Sequence, residues 1–408
     1  MKKTFLTFVI TITSVLAFAT NPQSVTVIKF GDDNTLFIGD SKSATLYAYT
    51  VPNVDNSSAQ KAYNIHDLSN KISTFLKVNP LDLIVRDMSV NPKSKEAYIA
   101  IDTKSKNGYT SQIVVVNQDG KIRKFDLVST KHTEIKINDA PTKDIIFWDK
   151  TPMRSLTFTD IDFYKGKLYV SGMSNAEFSS ALRVIDYPFN SKISTTSLEI
   201  YHAVHGQNET RAPIQTLQFV NLNNVDYVLA AYTCTPLVLI PVKDLKNGAH
   251  IVGKTIAEMG YGNTPVDIIK FQSEDFDKKK YEGIILANRN RTAQFVNLDD
   301  LSIGSKTDGI GYAGMAEHAG IPITNLPMTG LMQMEDQDDY HILTMRRNDE
   351  TGSLELISFL KNLYLRLDEF VTEYDQPTYK YNDPNQIQMK GYQNMMIQDL
   401  GQDKFKKQ

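Results

Sequence analysis

Short apolar runs separated by turn-forming residues make up most of the chain between residues 25 and 360. The runs are rich in β-branched and aromatic residues, and Asp, Asn, Gly, Lys or Pro follow them. This pattern is typical of β-strands joined by turns and not of amphipathic helices. The first strand of a recurring group is predicted at residues 26–30, 87–90, 160–163, 216–219, 267–271 and 330–334.

Two further strands are predicted after each first strand. The second strands are expected at 35–38, 97–101, 167–170, 227–231, 283–287 and 341–345, and the third at 45–49, 112–116, 181–185, 236–240, 292–296 and 354–359. Six copies of a meander of three or four strands predict an all-β fold, a β-propeller with one meander per blade. A seventh, degenerate blade could lie in residues 300–327, although that window is more typical of a loop.

One insertion has a helical period instead. Ile65, Leu68, Ile72 and Phe75 recur at helical spacing within residues 64–78. The following Asn-Pro pair should end the helix, since the residue before proline disfavours helical backbone. We expect a small helix that covers apolar surface at one end of the ring.

The first nineteen residues have the pattern of a secretory signal peptide. Lys2 and Lys3 form a basic segment, an apolar and threonine-rich run follows, and an Ala-Phe-Ala motif ends at Ala19. The apolar run is short for a membrane span. The sequence therefore predicts a periplasmic or secreted protein without a membrane span after cleavage.

The remaining boundaries follow from composition. The strand pattern predicts a propeller domain over residues 25–371, and residues 372–408 form a polar segment that is expected to be a loose tail. The formal net charge is −3 and no basic block is present, which argues against nucleic acid as a partner. A small molecule or another protein is a better candidate. One cysteine also rules out an internal disulfide.

Reactive side chains are concentrated in residues 201–213. This segment holds His202, His205, Glu209 and Arg211, and the only cysteine, Cys234, follows soon after. Imidazole and carboxylate groups can ligate a transition metal, and a thiolate beside them suits copper or zinc. The spacing does not fix the geometry. Residues three apart on a strand point to opposite faces, so only a loop would let the two imidazoles converge.

Three interpretations of this segment stay open. It could be a metal site with His202, His205 and Cys234 as ligands. It could be a catalytic or ligand-binding site without metal, in which Glu209 and Arg211 act on the substrate. It could also be a structural loop in which Glu209 pairs with Arg211, with Cys234 an inert core thiol.

Aspartates that begin several inner strands form a second candidate site. They recur at one register, near a mouth of the expected channel: Asp87, Asp160 and Asp267. Oxygen ligands there could hold calcium, or the side chains could satisfy backbone amides. Nearby arginines are expected to pair with them or to line the mouth for an anionic ligand. The predicted ligand-binding set is Arg86, Asp87, Asp160 and Arg183.

Three stretches give the chain a resemblance to a known group. Residues 158–163 with 171–183 (SGMSNAEFSSALR), 199–213 (EIYHAVHGQNETRAP) and 229–242 (LAAYTCTPLVLIPV) resemble exported bacterial YVTN-like β-propeller proteins of unassigned function. The resemblance covers most of residues 25–360. It implies a propeller, an exported location and a shared segment around His202, His205, Glu209, Arg211 and Cys234. It implies no reaction, because propellers host many functions.

Together these features predict an extracytoplasmic β-propeller that binds a ligand or a protein partner at a channel mouth built from residues 202–211. The alternative is a metal-dependent extracytoplasmic enzyme, an oxidoreductase or a hydrolase. In that alternative His202 and His205 are metal ligands and Glu209 is the acid or base. Copper, zinc and calcium are the candidate cofactors.

Overall fold

A computed structural model describes residues 21–52, 61–106, 108–147, 149–260, 263–274, 278–314, 318–326, 328–348 and 351–364. The strands are, in chain order, β1 (Val27–Phe30), β2 (Thr35–Asp40), β3 (Thr45–Thr50), β4 (Asn64–Ile65), β5 (Leu83–Val90), β6 (Ala97–Ser105), β7 (Gly108–Val116), β8 (Ile122–Lys124), β9 (His132–Lys136), β10 (Asp160–Tyr164), β11 (Lys167–Met173), β12 (Ser180–Asp186), β13 (Ile193–His202), β14 (Gln207–Glu209), β15 (Ile214–Leu222), β16 (Val225–Tyr232), β17 (Pro236–Pro241), β18 (His250–Glu258), β19 (Pro265–Glu274), β20 (Lys280–Asn288), β21 (Gln294–Asn297), β22 (Ala319–Gly320), β23 (Thr324–Asn325), β24 (Leu331–Asp336), β25 (His341–Arg347) and β26 (Leu354–Leu360). The helices are α1 (Leu68–Leu76), α2 (Leu298–Ser305) and α3 (Lys361–Tyr364), with short 3-10 turns at Pro80–Asp82, Met153–Leu156 and Val242–Asp244. All eighteen predicted strands are present, so the all-β prediction is confirmed.

The strands form antiparallel groups of four, which we call meanders. They are numbered by the chain order of their innermost strands. Meander 1 is β1-β2-β3-β9, meander 2 is β5-β6-β7-β8, meander 3 is β10-β11-β12-β13, meander 4 is β15-β16-β17-β18, meander 5 is β19-β20-β21-β23 and meander 6 is β24-β25-β26-β4. Meanders 3 and 4 share one ten-stranded sheet, because their outermost strands β13 and β18 pair in parallel. The described residues therefore form four four-stranded sheets and one ten-stranded sheet.

The innermost strands contact one another in a closed cycle. The order around the cycle is β5, β1, β10, β15, β19, β24 and back to β5. This is a propeller-like arrangement, but its order differs from the chain order, since meander 2 lies between meanders 1 and 6. The chain leaves meander 1 after β3, gives β4 to meander 6, builds meander 2, and returns with β9 to complete meander 1.

The apolar core lies between neighbouring meanders. In the described part of the chain it consists of six clusters, and each joins two meanders that are adjacent in the cycle. The cluster between meanders 1 and 3, for example, contains Phe37 and Leu168, both fully buried. Each meander thus buries both faces against its neighbours, as the blades of a propeller do.

One register position on the innermost strands links neighbouring meanders, and we call it the linking position. Its side chain accepts a hydrogen bond from a backbone N–H of the next innermost strand. The pairs are Asp87 with Ile28 at 2.6 Å, Asp160 with Leu217 at 2.7 Å, Thr216 with Ile268 at 3.2 Å and Asp267 with Met334 at 2.6 Å. An unpaired buried N–H is costly, so these contacts stabilise the ring.

The predicted helix and the 300–327 window have different outcomes. The helix is confirmed as α1, whose Leu68 and Ile72 are buried between meanders 2 and 6. It is shorter than predicted, because Ile65 belongs to β4, and Phe75 is exposed. In the window, α2 is followed by β22 and β23, which join the edges of β18 and β21. No seventh meander forms among the residues of this window that the structure describes. The predicted signal peptide at 1–19 and tail at 372–408 lie outside the described residues. No described helix has the length and apolarity to cross a membrane.

Candidate functional site

A β-hairpin brings the two histidines of the 201–213 segment together. His202 ends β13, and its carbonyl oxygen accepts hydrogen bonds from the N–H groups of His205 (3.1 Å) and Gly206 (2.8 Å). Gly206 has φ +66, in the left-handed region that glycine adopts readily, and a Cβ there would lie 3.0 Å from the ring of Tyr312. The turn places the imidazole centroids of His202 and His205 4.0 Å apart. A turn, and not a strand or a helix, therefore allows the rings to converge, as the sequence predicts.

Glu209 completes this group from β14, across the hairpin. Its Oε1 lies 3.0 Å from Nδ1 of His202 and 2.7 Å from Nδ1 of His205. The candidate ligand atoms of the three residues all lie within 4.8 Å of one another. Among the described residues, no other group of three or more His, Cys, Asp or Glu side chains converges in this way. We call His202, His205 and Glu209 the hairpin triad.

The far side of the His202 ring is also held by protein groups. Its Nε2 lies 2.9 Å from Oγ1 of Thr235 and 3.9 Å from Oε2 of Glu258. Glu258 is fully buried, and its Oε1 accepts a hydrogen bond from the N–H of Ala203 at 2.6 Å. Its Oε2 has no hydrogen-bond partner in the described structure. A histidine whose second nitrogen faces a carboxylate is the usual arrangement behind a metal-ligating imidazole.

The charges of the site favour a cation beside Glu209. Burial, the strongest influence on His202, lowers the pKa of the imidazole. Hydrogen bonds with Cys234 and Glu209 and the charges of Glu209 and Glu258 outweigh burial and raise the pKa of His202 to about 9. The hydrogen bond with His202, followed by that with His205, lowers the pKa of Glu209 to about 2. An ionised carboxylate therefore faces both Nδ1 atoms at neutral pH.

Exposure is graded across the hairpin triad. The side chain of His202 is 2% exposed, that of Glu209 22% and that of His205 49%. An ion held by these three residues would be buried on the His202 side and open to solvent on the His205 side. Three protein ligands with one open position are typical of sites that bind an external ligand or catalyse a reaction.

Two parts of the predicted site need correction. Cys234 contacts His202 but lies outside the hairpin triad, so Glu209 takes the place that Cys234 was expected to fill. Arg211 is exposed and does not pair with Glu209, whose ion-pairing partners are the two histidines. The sequence could not separate these alternatives, because the hairpin register decides which side chains meet.

The location of the site also differs from the expectation. β13 and β18 are the fourth and outermost strands of meanders 3 and 4, farthest from the ring of innermost strands. Thr235 comes from the turn between β16 and β17, and Glu258 ends β18. The hairpin triad therefore lies at the outer junction of meanders 3 and 4 and not at a channel mouth. The expected closeness of Cys234 to the histidines does hold, since both belong to this junction.

The second candidate site is built differently from its prediction. Asp87 and Asp160 occupy the linking position, which favours the amide-satisfying alternative. Arg86 pairs with Asp102 at 2.7 Å, and Arg183 is fully buried against Asp139 at 2.8 Å. Neither arginine pairs with the linking aspartates, and Arg183 does not line a mouth. Arg86 on β5 pairs across to β6, and Arg183 lies on β12, outside the innermost strands.

The cation among these aspartates is a lysine that the sequence analysis missed. Lys29 on β1 pairs with Glu335 on β24 at 3.1 Å, and burial opposes its charge while Glu335, Asp162 and Asp160 raise its pKa above the ordinary value. Burial raises the pKa of Asp160 to about 7 and that of Asp162 to about 6, against the opposing charge of Lys29. The available signal was the position within the first strand, because Lys29, Asp162 and Glu335 all lie on innermost strands, β1, β10 and β24.

Comparisons with known proteins give similarity of fold and no family. No family model matches the chain, and no curated protein matches it. Three solved structures are similar at low identity. Drosophila Plexin A in complex with Semaphorin 1b is 6% identical, with 84% of this chain and 88% of that chain covered and a TM-score of 0.33. BBS1N in complex with ARL6DN is 8% identical, with 80% and 74% covered and a TM-score of 0.27.

Streptogramin B lyase is also 8% identical, with 83% of this chain and 84% of that chain covered and a TM-score of 0.28. TM-scores below 0.5 carry no argument about activity or ligand. The resemblance to exported YVTN-like propellers stays a resemblance of sequence, and export stays a prediction. The comparisons assign this chain to no family.

Proposed function

We propose that the protein is an extracytoplasmic, six-bladed β-propeller that binds a divalent transition-metal ion at the hairpin triad. In this count the ten-stranded sheet contributes two blades, meanders 3 and 4. The closed cycle of six innermost strands and the six apolar clusters between neighbours support the count.

The observation that carries the proposal is the convergence of three donors on one point. Oε1 of Glu209 lies 3.0 Å from Nδ1 of His202 and 2.7 Å from Nδ1 of His205, and the candidate ligand atoms of the three residues all lie within 4.8 Å of one another. Two imidazole nitrogens and one carboxylate oxygen suit zinc or copper. They do not suit calcium, which prefers six or more oxygen ligands. The metal would replace the bridging protons, with a small outward shift of His205.

The solvent-exposed side of the triad is where an external ligand would coordinate the metal. Solvent reaches the triad at His205, so a small molecule or a side chain of a partner protein would coordinate there. On this proposal the ligand is captured at the outer junction of two blades. The interpretation as a metal-dependent enzyme uses the same open position, but Glu209 is then a ligand and cannot also be the acid or base. Binding is therefore the function that the geometry supports best.

Isothermal titration of the purified mature protein with zinc and with copper tests the proposal, alongside elemental analysis. We expect about one ion per chain, and His205→Ala should weaken binding by at least about 100-fold while leaving the fold intact, because His205 is half exposed. His66→Ala is the matched control. Its side chain is 52% exposed and lies 3.3 Å from Glu355, far from the hairpin in the chain. Wild-type protein that binds neither metal, or His205→Ala protein that binds as tightly as His66→Ala protein, would refute the metal site.

A further inference from the structure

A serine, a histidine and a glutamate meet on the outer side of the junction between β13 and β18. Ser197 and Glu199 are two residues apart on β13, so they share one face of that strand. His250 begins β18 and stands opposite Ser197 in the parallel register. This face is opposite to the one that carries His202, so the group is separate from the hairpin triad.

The hydrogen bonds of the group orient the histidine as a base. Oγ of Ser197 lies 2.8 Å from Nδ1 of His250, and Nε2 of His250 lies 3.2 Å from Oε2 of Glu199. Glu199 is itself held, because its Oε1 accepts a hydrogen bond from Nδ2 of Asn208 at 2.6 Å. With the Nε2 proton directed at the carboxylate, Nδ1 is free to accept the hydroxyl proton of Ser197. The carbonyl of Ala249, at 3.4 Å, is a longer and weaker alternative for that proton.

Ser197 is half-buried, its histidine partner is more open to solvent, and an apolar surface lies beside the pair. The side chain of His250 is 35% exposed and that of Glu199 17%, so a substrate can reach the base while the carboxylate stays shielded. The ring of Phe178 lies 4.5 Å from the ring of His250 and is 40% exposed. An acyl or aryl group could pack on this ring next to Oγ of Ser197.

We propose that Ser197 is a nucleophile toward carboxylic esters, with His250 as its general base and Glu199 as a positioning residue. A nucleophile beside a base that a third group orients is the arrangement of activated serines in general. Oγ bonds to the ester carbonyl carbon while its proton moves to Nδ1 of His250. The carbon–oxygen bond to the alcohol then breaks, and the leaving alkoxide takes that proton. Water attacks the acyl group by the same proton path, so the net change is ester plus water to acid plus alcohol.

The test uses a fluorophosphonate probe on the full mature protein in the presence of a chelator, so the outcome is independent of the proposed metal. Oγ of Ser197 would form a bond to phosphorus, fluoride would leave, and the proton would go to His250. We expect an adduct that peptide mass spectrometry locates at Ser197. His250→Gln should slow labelling about 100-fold, the usual size of a general-base contribution. Ser194→Ala is the control, since Ser194 lies on the same strand and has no histidine partner in the described structure.

The role of Glu199 is tested by the pH dependence of labelling, which a purely structural role would not change. Glu199→Gln should shift the pH at which labelling is half-maximal, and Glu199→Asp should restore most of the wild-type profile. Thermal unfolding of each variant identifies any that do not fold. An absence of adduct at Ser197 in folded wild-type protein would overturn the proposal. An adduct that forms equally fast in folded His250→Gln protein would also overturn it.

Discussion

Asp87 on β5 accepts a hydrogen bond of 2.6 Å from the backbone N–H of Ile28 on β1, a strand of the neighbouring meander. The same carboxylate accepts a second hydrogen bond from the N–H of Met88 at 2.8 Å. The inner edge of each sheet has no further strand to pair with, so its N–H groups need other acceptors. At four of the six junctions in the described structure the linking position supplies such an acceptor and joins two neighbouring meanders.

Replacing Asp87 by alanine should lower the free energy of unfolding by about 2 kcal/mol, because two buried N–H groups lose their acceptor. Urea unfolding followed by tyrosine fluorescence measures the change. Asp32→Ala is the control, since Asp32 is exposed in the turn between β1 and β2 and its loss should cost less than about 0.5 kcal/mol. If the two variants unfold at the same urea concentration, the linking position does not hold the ring.

Tyr63→Phe should destabilise the protein by about 1–3 kcal/mol, because a buried hydroxyl joins meanders 2 and 6. The hydroxyl accepts a hydrogen bond from the N–H of Ala97 at 2.9 Å and lies 2.8 Å from the carbonyl of Lys95 and 3.0 Å from that of Val116. Differential scanning calorimetry should show a lower Tm than wild type. Tyr109→Phe, at a side chain that is 55% exposed, should leave the Tm unchanged. Equal Tm values for both variants would contradict the prediction.

Stability should fall as the pH rises from about 4 to about 7. The pKa of Asp162 is about 6 and that of Asp160 about 7 in the folded chain, above the ordinary value of 3.8. At these two carboxyl groups the folded state holds more protons than the unfolded state across this window, so their contribution to stability is lost as the pH rises. Asp162→Asn should reduce this fall in the free energy of unfolding by on the order of 3 kcal/mol. The amide oxygen of the asparagine can still accept the hydrogen bond from the N–H of Phe163.

Urea unfolding at several pH values between 4 and 8 measures this slope. Asp32→Asn is a suitable reference, because an exposed carboxylate should leave the slope as it is in the wild type. The prediction is wrong if Asp162→Asn protein loses stability with pH as steeply as the wild-type protein.

Glu258→Gln should weaken zinc binding about 10- to 100-fold, the usual effect of losing a carboxylate behind a ligating histidine. Its amide oxygen can keep the hydrogen bond from the N–H of Ala203, so the fold should persist. Competition with a coloured chelator measures the affinity. Glu282→Gln, at an exposed position of β20, should bind zinc as the wild type does. An unchanged affinity in Glu258→Gln protein would show that this carboxylate does not support the site.

The strands could be predicted because their signals are local. Alternating apolar residues and turn formers mark three strands in each meander. Three of the fourth strands are too short to carry a pattern, since β4 and β23 have two residues each and β8 has three. The order of the meanders around the ring could not be predicted from the sequence either. It depends on the pairing of β9 with β3, which are separated in the chain by the whole of meander 2.

In the candidate site, too, residues that are close in the chain could be predicted and residues brought together by strand pairing could not. His202, His205 and Glu209 are close in the chain, and their density identified the segment. Glu258 was missed because only the parallel pairing of β13 with β18 brings it behind His202. Lys29 and Glu335 are separated by 306 positions in the chain, and no local pattern connects them.

The path of the chain through meanders 1, 2 and 6 dictates when the protein can finish folding. β4 pairs with β26, which is nearly 300 positions away in the chain. β3 and β9 are separated by the whole of meander 2. Contacts between distant parts of a chain form slowly in folding, so we expect the closure of the ring to be a late event.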